Sequence, residues 1–115
     1  MTVNKKALPF TLSAAPAVKR PASLEDAAFW PLRNLGELLR TRQVTSLELT
    51  EMYLARLHRY NGLLNNVVTF LDDYGRTEAK RADAEIAAGQ YKGPLHGIPW
   101  GAKDLLAVKG AVTTW

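Results

Sequence analysis

The chain has 115 residues, of which 47% are hydrophobic and 23% are charged, and its net charge is +4. This length and composition suit one soluble domain at most, and no apolar run is long enough to predict a membrane-spanning helix. The absence of cysteine excludes disulfides, a thiol nucleophile and zinc–thiolate sites.

Residues 1–22 are predicted to form a flexible basic tail rich in alanine and proline. The tail contains Lys5, Lys6, Lys19 and Arg20 and no acidic residue, whereas basic and acidic residues balance over the rest of the chain. The folded part is therefore close to neutral, which argues against a nucleic-acid surface.

The same tail has some features of an export signal. Lys5 and Lys6 precede an apolar stretch from Ala7 to Val18, and the Ala-Pro-Ala sequence at 15–17 resembles a small-residue cleavage site. Proline and hydroxyl residues interrupt the apolar stretch, however. We therefore expect a cytoplasmic protein, with export as the alternative.

Three helical segments are predicted after the tail. Ser23 and Asp26 are placed to cap a short helical turn, which Pro31 interrupts. A short amphipathic helix follows, with leucines at helical spacing: Leu32, Leu35, Leu38 and Leu39. Thr45 and Glu48 then have the spacing of a capping box. They predict the start of a longer helix, and Asn61-Gly62 supplies a left-handed stop.

The second half of the chain predicts a strand, a helix and a strand. Val67–Leu71 is short, β-branched and apolar, as expected of a buried strand. Asp72 or Asp73 can cap the next helix, from about Tyr74 to Ala88, and Ile98–Lys103 is the second predicted strand. This order indicates a βαβ unit with parallel pairing, and hence an α/β fold.

Lys103 is the candidate reactive residue. It stands at the end of a short apolar run within the glycine- and proline-rich segment Gly93–Asp104. A lysine acts as a base only when burial or cationic neighbours lower its pKa. A strand that carried Lys103 into an interior would provide such burial.

The segment Gly93–Asp104 resembles the pattern G-P-L-x-G-I-P-x-x-x-K-D of the amidase signature family. Lys109-Gly110 and Thr113-Thr114 match the turn and the threonine pair that follow it, and residues 46–50 resemble a helix start in such enzymes. The resemblance covers roughly residues 32–115. It implies an α/β fold class in which this chain is the N-terminal fragment of the amidase-signature fold. N-terminal helices would precede a βαβ unit of a larger mixed sheet, with residues 23–115 as a truncated part of the amidase domain.

The resemblance also implies a mechanism for the parent protein. Amidase-signature enzymes hydrolyse the C–N bond of carboxamides with a Ser–cisSer–Lys triad, and Lys103 matches the lysine. Both serines lie downstream in a Gly/Ser-rich segment of the family, and Ser13, Ser23 and Ser46 lie in no such segment. The expected partner is a small-molecule amide substrate, without cofactor, metal or membrane, and a homodimer is possible. The 115-residue chain alone is expected to be inactive.

Two alternatives stay open. The chain could belong to the A subunit of a glutamine-dependent tRNA amidotransferase, the one case in which a nucleic-acid partner is expected. It could also be a non-catalytic fragment or binding module. Other residues of the motif are expected to be structural: Asp104 to hold a loop through backbone N–H groups, Trp100 to lie in the core, and His96 to take no catalytic role. Neither His58 nor His96 has a partner at metal-ligand spacing.

Overall fold

The computed structural model of the chain describes residues 13–114. It contains a short 3-10 helix at Leu24–Ala27 and three α-helices: α1 at Leu32–Arg40, α2 at Ser46–Leu64 and α3 at Asp72–Ala87. Lys5, Lys6 and the first part of the possible export signal lie outside the described residues.

The first two predicted helical segments are present. Ser23 precedes the 3-10 helix, but its side chain makes no capping hydrogen bond, so that part of the prediction was wrong. Pro31 separates the two segments, and its carbonyl accepts the first N–H groups of α1, from Asn34 at 2.9 Å and Leu35 at 3.2 Å. Proline suits the start of a helix because an N–H group there would have no acceptor within the helix.

The predicted capping box opens α2. The Thr45 hydroxyl accepts the Glu48 N–H at 3.0 Å, and the Glu48 carboxylate accepts the Thr45 N–H at 2.8 Å. The predicted stop at Asn61-Gly62 was wrong, because the helix continues to Leu64 and ends at Asn65, whose φ of 49° is left-handed. The Asn61 side chain instead accepts the Val67 N–H at 2.8 Å, which fixes the exit of the chain from the helix.

Helix α3 lies close to its prediction, although it begins differently. Leu71 is the N-cap residue, and its side chain makes no capping hydrogen bond. Asp72 and Asp73 lie in the first turn rather than at the cap, where their charge is favourable to the helix dipole. The helix packs against α2 along the side that carries the buried Ala79 and Ala82.

The hydrophobic core lies where α1 and the start of α2 meet the 3-10 helix. Leu38, Leu39 and Leu49 are its largest fully buried side chains. Ile98, from the glycine- and proline-rich segment, packs against this core. The core therefore positions the segment that contains the candidate site.

The predicted βαβ unit is not observed, since the described residues contain no strand. Val67–Leu71 forms the connection between α2 and α3, and Val68 is 67% exposed. Ile98–Lys103 is an irregular segment. A strand is stabilised by hydrogen bonds to a neighbouring strand, and between residues 13 and 114 neither segment has one.

Residues 13–20 contact α1 and the loop between α1 and α2 through polar side chains. Arg33 of α1 donates to the carbonyls of Ser13 at 2.6 Å and Ala14 at 3.1 Å. Gln43 donates to the Val18 carbonyl at 3.0 Å and accepts the Arg20 N–H at 2.8 Å. These contacts hold residues 13–20 against α1 and the loop that follows it.

Candidate functional site

The chain from Gly93 to Thr114, which contains the motif segment, divides into two parts at Pro99. Gly93–Pro99, which we call the anchored half, contacts all three α-helices. Trp100–Thr114, which we call the exposed arm, is mostly exposed and contains Lys103. The two parts have different physical surroundings.

The N-terminus of α2 holds Gly97 in place. The Ser46 hydroxyl, in a residue only 2% exposed, donates to the Gly97 carbonyl at 2.6 Å. Asp83 of α3 accepts the N–H groups of Ser46 at 2.6 Å and Leu47 at 3.1 Å. These N–H groups have no partner within α2, and a carboxylate is a favourable acceptor at the positive end of a helix. One junction thus joins α2, α3 and the anchored half.

Two glycines allow the anchored half to lie close to the helices. A Cβ atom on Gly36 of α1 would lie 2.9 Å from the carbonyl oxygen of Pro94. Gly97 has a left-handed φ of 81°, and a Cβ atom there would lie 3.3 Å from Cβ of Ser46. Glycine therefore meets a steric need at Gly36 and both a steric and a conformational need at Gly97.

His96 connects the anchored half to α3. Its Nε2 lies 2.7 Å from Oε2 of Glu85, and its Nδ1 accepts the Lys92 N–H at 3.1 Å. The Lys92 ammonium lies 2.8 Å from the same carboxylate oxygen. The pKa of Glu85 is lowered, first by the hydrogen bond from Lys92 and then by the one from His96. The carboxylate is therefore held in its ionised form between two donors.

The exposed arm presents Lys103 to solvent. Between residues 13 and 114 the Lys103 side chain makes neither a hydrogen bond nor an ion pair, although its carbonyl accepts the Leu106 N–H at 2.9 Å. Trp100 is 75% exposed, which contradicts its expected place in the core. The strand that was expected to carry Lys103 into an interior does not form, so the described residues do not bury the lysine. Large apolar side chains of the same arm are also exposed: Trp100, Leu105, Leu106 and Val112.

Asp104 closes the exposed arm into a loop, as expected. Its carboxylate accepts the Thr114 N–H at 3.3 Å and a second, shorter hydrogen bond from the Thr114 hydroxyl. The carboxylate thus acts on the backbone ten residues downstream. The loop fixes the chain direction immediately after Lys103.

Acidic and histidine side chains between residues 13 and 114 form no group of three that could hold a metal ion. In that same range, no helix is long and apolar enough to cross a membrane.

Sequence reasoning missed the residues that hold the anchored half. Ser46, Asp83 and Glu85 contact residues between 11 and 51 positions away in the chain, and no local pattern distinguishes them from ordinary helix residues. The one available signal was a serine directly after an N-cap threonine, at a position where the helix begins. His96 was considered, and its partner Glu85 was not.

A family model described as Amidase matches residues 48–115. A Mycobacterium tuberculosis protein named "Putative amidase AmiD" is 42% identical over 82 residues, which are 71% of this chain and 17% of that protein. The A subunit of glutamyl-tRNA(Gln) amidotransferase from Rhizobium leguminosarum bv. trifolii is 45% identical over 75 residues, which are 65% of this chain and 15% of that protein. The protein of the same name from Azoarcus is 44% identical over 80 residues, which are 70% of this chain and 16% of that protein.

The chain spans about a sixth of the length of these curated relatives. No solved structure matches it.

Proposed function

Because the chain belongs to the amidase family, we propose that it is the N-terminal part of an enzyme that hydrolyses the C–N bond of carboxamides. Lys103 is its proton acceptor, as the lysine of a Ser–cisSer–Lys triad. The observation that carries this proposal is the motif segment itself. It lies within the family match, and its anchored half holds the chain firmly seven residues or fewer before Lys103.

The proposed chemistry needs a lysine that can give up its charge. Serine is a poor nucleophile until a base within hydrogen-bond reach takes its proton. A lysine amine does this only in its neutral form, which burial favours. In the proposed enzyme the lysine takes a proton from the bridging serine, which takes one from the nucleophilic serine. The nucleophile attacks the amide carbonyl, and the C–N bond breaks as ammonia or an amine leaves with a proton, which forms the acyl-enzyme. Water then hydrolyses the acyl-enzyme to the carboxylic acid and the free serine.

The exposed arm supports this arrangement. The large apolar side chains of the exposed arm are 51% to 78% exposed, and covering such a surface lowers the free energy because it removes apolar area from water. We propose that the remainder of the amidase domain covers the arm, which removes Lys103 from water together with its neighbours. The same exposure weighs against a self-sufficient binding module.

The test is a lysine substitution in the full-length enzyme. Lys103→Ala should lower ammonia release from simple carboxamides by about 10²- to 10⁴-fold, the usual contribution of a general base. Lys80→Ala is the matched control, because this exposed lysine of α3 lies outside the motif. Undiminished turnover in Lys103→Ala would refute the proposal.

The second candidate function is that of an amidotransferase A subunit. Relatives with that name are 41% to 45% identical to the chain, so identity does not separate the two functions. Release of ammonia from glutamine, together with co-purification of two partner subunits, would favour the amidotransferase. A monomer or homodimer that hydrolyses glutamine no better than other amides would favour the hydrolase.

A further inference from the structure

The side chains of His96, Glu85 and Lys92 form a compact cluster, which we call the His96 cluster. It joins the anchored half to α3. The His96 side chain is only 9% exposed, although it carries two polar atoms. Both are satisfied within the cluster, by the Glu85 carboxylate and the Lys92 N–H. The proposed amidase chemistry gives this histidine no role.

The contacts determine which ring nitrogen carries the proton. A backbone N–H can only donate, so Nδ1 of His96 must be the acceptor for Lys92 and must be unprotonated. The proton of the neutral ring is then on Nε2, which donates it to Glu85. A proton on Nδ1 would place two donors against each other. The cluster therefore fits one tautomer of the neutral ring.

We propose that His96, in its Nε2–H tautomer, is a positioning residue for Lys103: it fixes the anchored half on α3 and thereby sets where the lysine emerges. The inference rests on the proposed function of Lys103. Together with the Ser46 hydrogen bond to Gly97, it gives the segment two attachment points on adjacent residues. Two attachments on different helices fix a direction, which one alone does not.

Position matters for a base because proton transfer needs hydrogen-bond distance. A displacement of about 1 Å in reacting groups can cost about 10²-fold in rate, even when its cause is remote. Without the His96 cluster, the anchored half would keep its attachment to α2 but could pivot about Gly97.

Charged groups lie on two sides of the His96 ring. They are Glu85 on α3 and Lys92, which directly precedes the anchored half. Tyr91 lies 6.1 Å from it, ring centre to ring centre, with the Glu37–Arg40 pair of α1 near Tyr91.

The tautomer can be observed directly. The 115-residue chain has two histidines, so a His58→Gln variant assigns the imidazole ¹⁵N signals of His96. For the neutral ring we expect a protonated Nε2, an unprotonated Nδ1 and slow exchange of the Nε2 proton. His58, whose side chain is 50% exposed, is the internal reference. An Nδ1–H tautomer, or averaged signals in both rings, would overturn the inference.

Activity in the full-length enzyme tests the positioning role. His96→Ala should lower kcat by about 10- to 100-fold, with little change in KM, because a positioning residue affects the placement of Lys103 rather than substrate binding. His96→Gln retains a donor at the place of Nε2, and His96→Asn retains an acceptor at the place of Nδ1. Each should recover part of the loss. His58→Gln is the matched control and should leave kcat unchanged.

The outcomes separate this inference from the proposed function. An inactive Lys103→Ala combined with unchanged kcat per folded molecule in all His96 variants would overturn the positioning role alone. An active Lys103→Ala would overturn both. If His96→Ala does not fold, the Gln and Asn variants decide: reduced kcat in either, with a wild-type circular dichroism spectrum, supports the role, and full kcat in both refutes it.

Discussion

Alanine at Gly36 provides a direct test of how the anchored half packs on α1. Gly→Ala in the middle of a helix ordinarily stabilises it, because glycine loses more backbone freedom on folding. At Gly36 the added Cβ atom would lie 2.9 Å from the Pro94 carbonyl oxygen, a backbone atom that cannot rotate away. At Gly62, in the last turn of α2, a Cβ atom meets nothing within 4 Å. The two substitutions therefore differ chiefly in the steric conflict of the added Cβ atom, which arises at Gly36 and not at Gly62.

The difference between the two variants can be estimated. The propensity gain is up to about 1 kcal/mol at either site, and overpacking costs about 1–3 kcal/mol where a neighbour must move. We expect Gly36→Ala to be less stable than Gly62→Ala by about 1–3 kcal/mol. In a folded unit of this size, each kcal/mol corresponds to about 4–8 °C in Tm.

The assay is thermal unfolding by far-UV circular dichroism, combined with amide hydrogen exchange. Steric conflict at Gly36 should lower Tm relative to Gly62→Ala. It should also speed exchange of the Ile98 N–H, which is bonded to the Leu95 carbonyl at 3.1 Å. If Gly36→Ala stabilised the chain as much as Gly62→Ala and left the Ile98 N–H protected from exchange, the close packing of Pro94 against α1 would be refuted.

Two further predictions concern the start of α2. Ser46→Ala should destabilise the chain by about 1–3 kcal/mol in denaturant unfolding, because it leaves the Gly97 carbonyl without its donor; Ser23→Ala, which removes no capping hydrogen bond, should change little. The pKa of Glu48 is lowered from 4.5, first by its hydrogen bond with Arg20, so its contribution is present above pH 4.5 and is lost as the pH falls through the lowered value. Glu48→Gln should therefore lower Tm at pH 7 and flatten the fall of Tm below pH 5; an unchanged acid slope would contradict this.

The helices were predictable because their signals are local. Thr45 and Glu48 are three residues apart, and the capping box that they predict is the one observed. The ends were less predictable where two signals competed: Asn61-Gly62 is a valid stop, but Asn65 also accepts a left-handed φ and closes the helix later. The strand predictions were wrong for a different reason. A β-branched run such as Val67–Leu71 becomes a strand only beside another one, and a single sequence does not say where that neighbour is.

Only part of the site was accessible from the sequence. The motif around Lys103 stands in one continuous segment, and the expected role of Asp104, to hold a loop through a backbone N–H group, is observed. The attachments of Gly97 and His96 were not accessible, because Ser46 and Glu85 lie on helices whose mutual packing has to be known first. The predicted burial of Lys103 depended on a strand at Ile98–Lys103. That strand is not observed, so the prediction of burial was wrong for the described residues.

The hydrogen bond between Ser46 and Gly97 joins residues 51 positions apart, which has a consequence for folding order. Helices form from local contacts within about a microsecond, whereas contacts that close long loops carry an entropic cost that delays them. We expect α2 and α3 to pair first across their short connection, and the lysine-bearing segment to arrive last. By the same reasoning, that segment is the first to detach in transient openings of the folded chain.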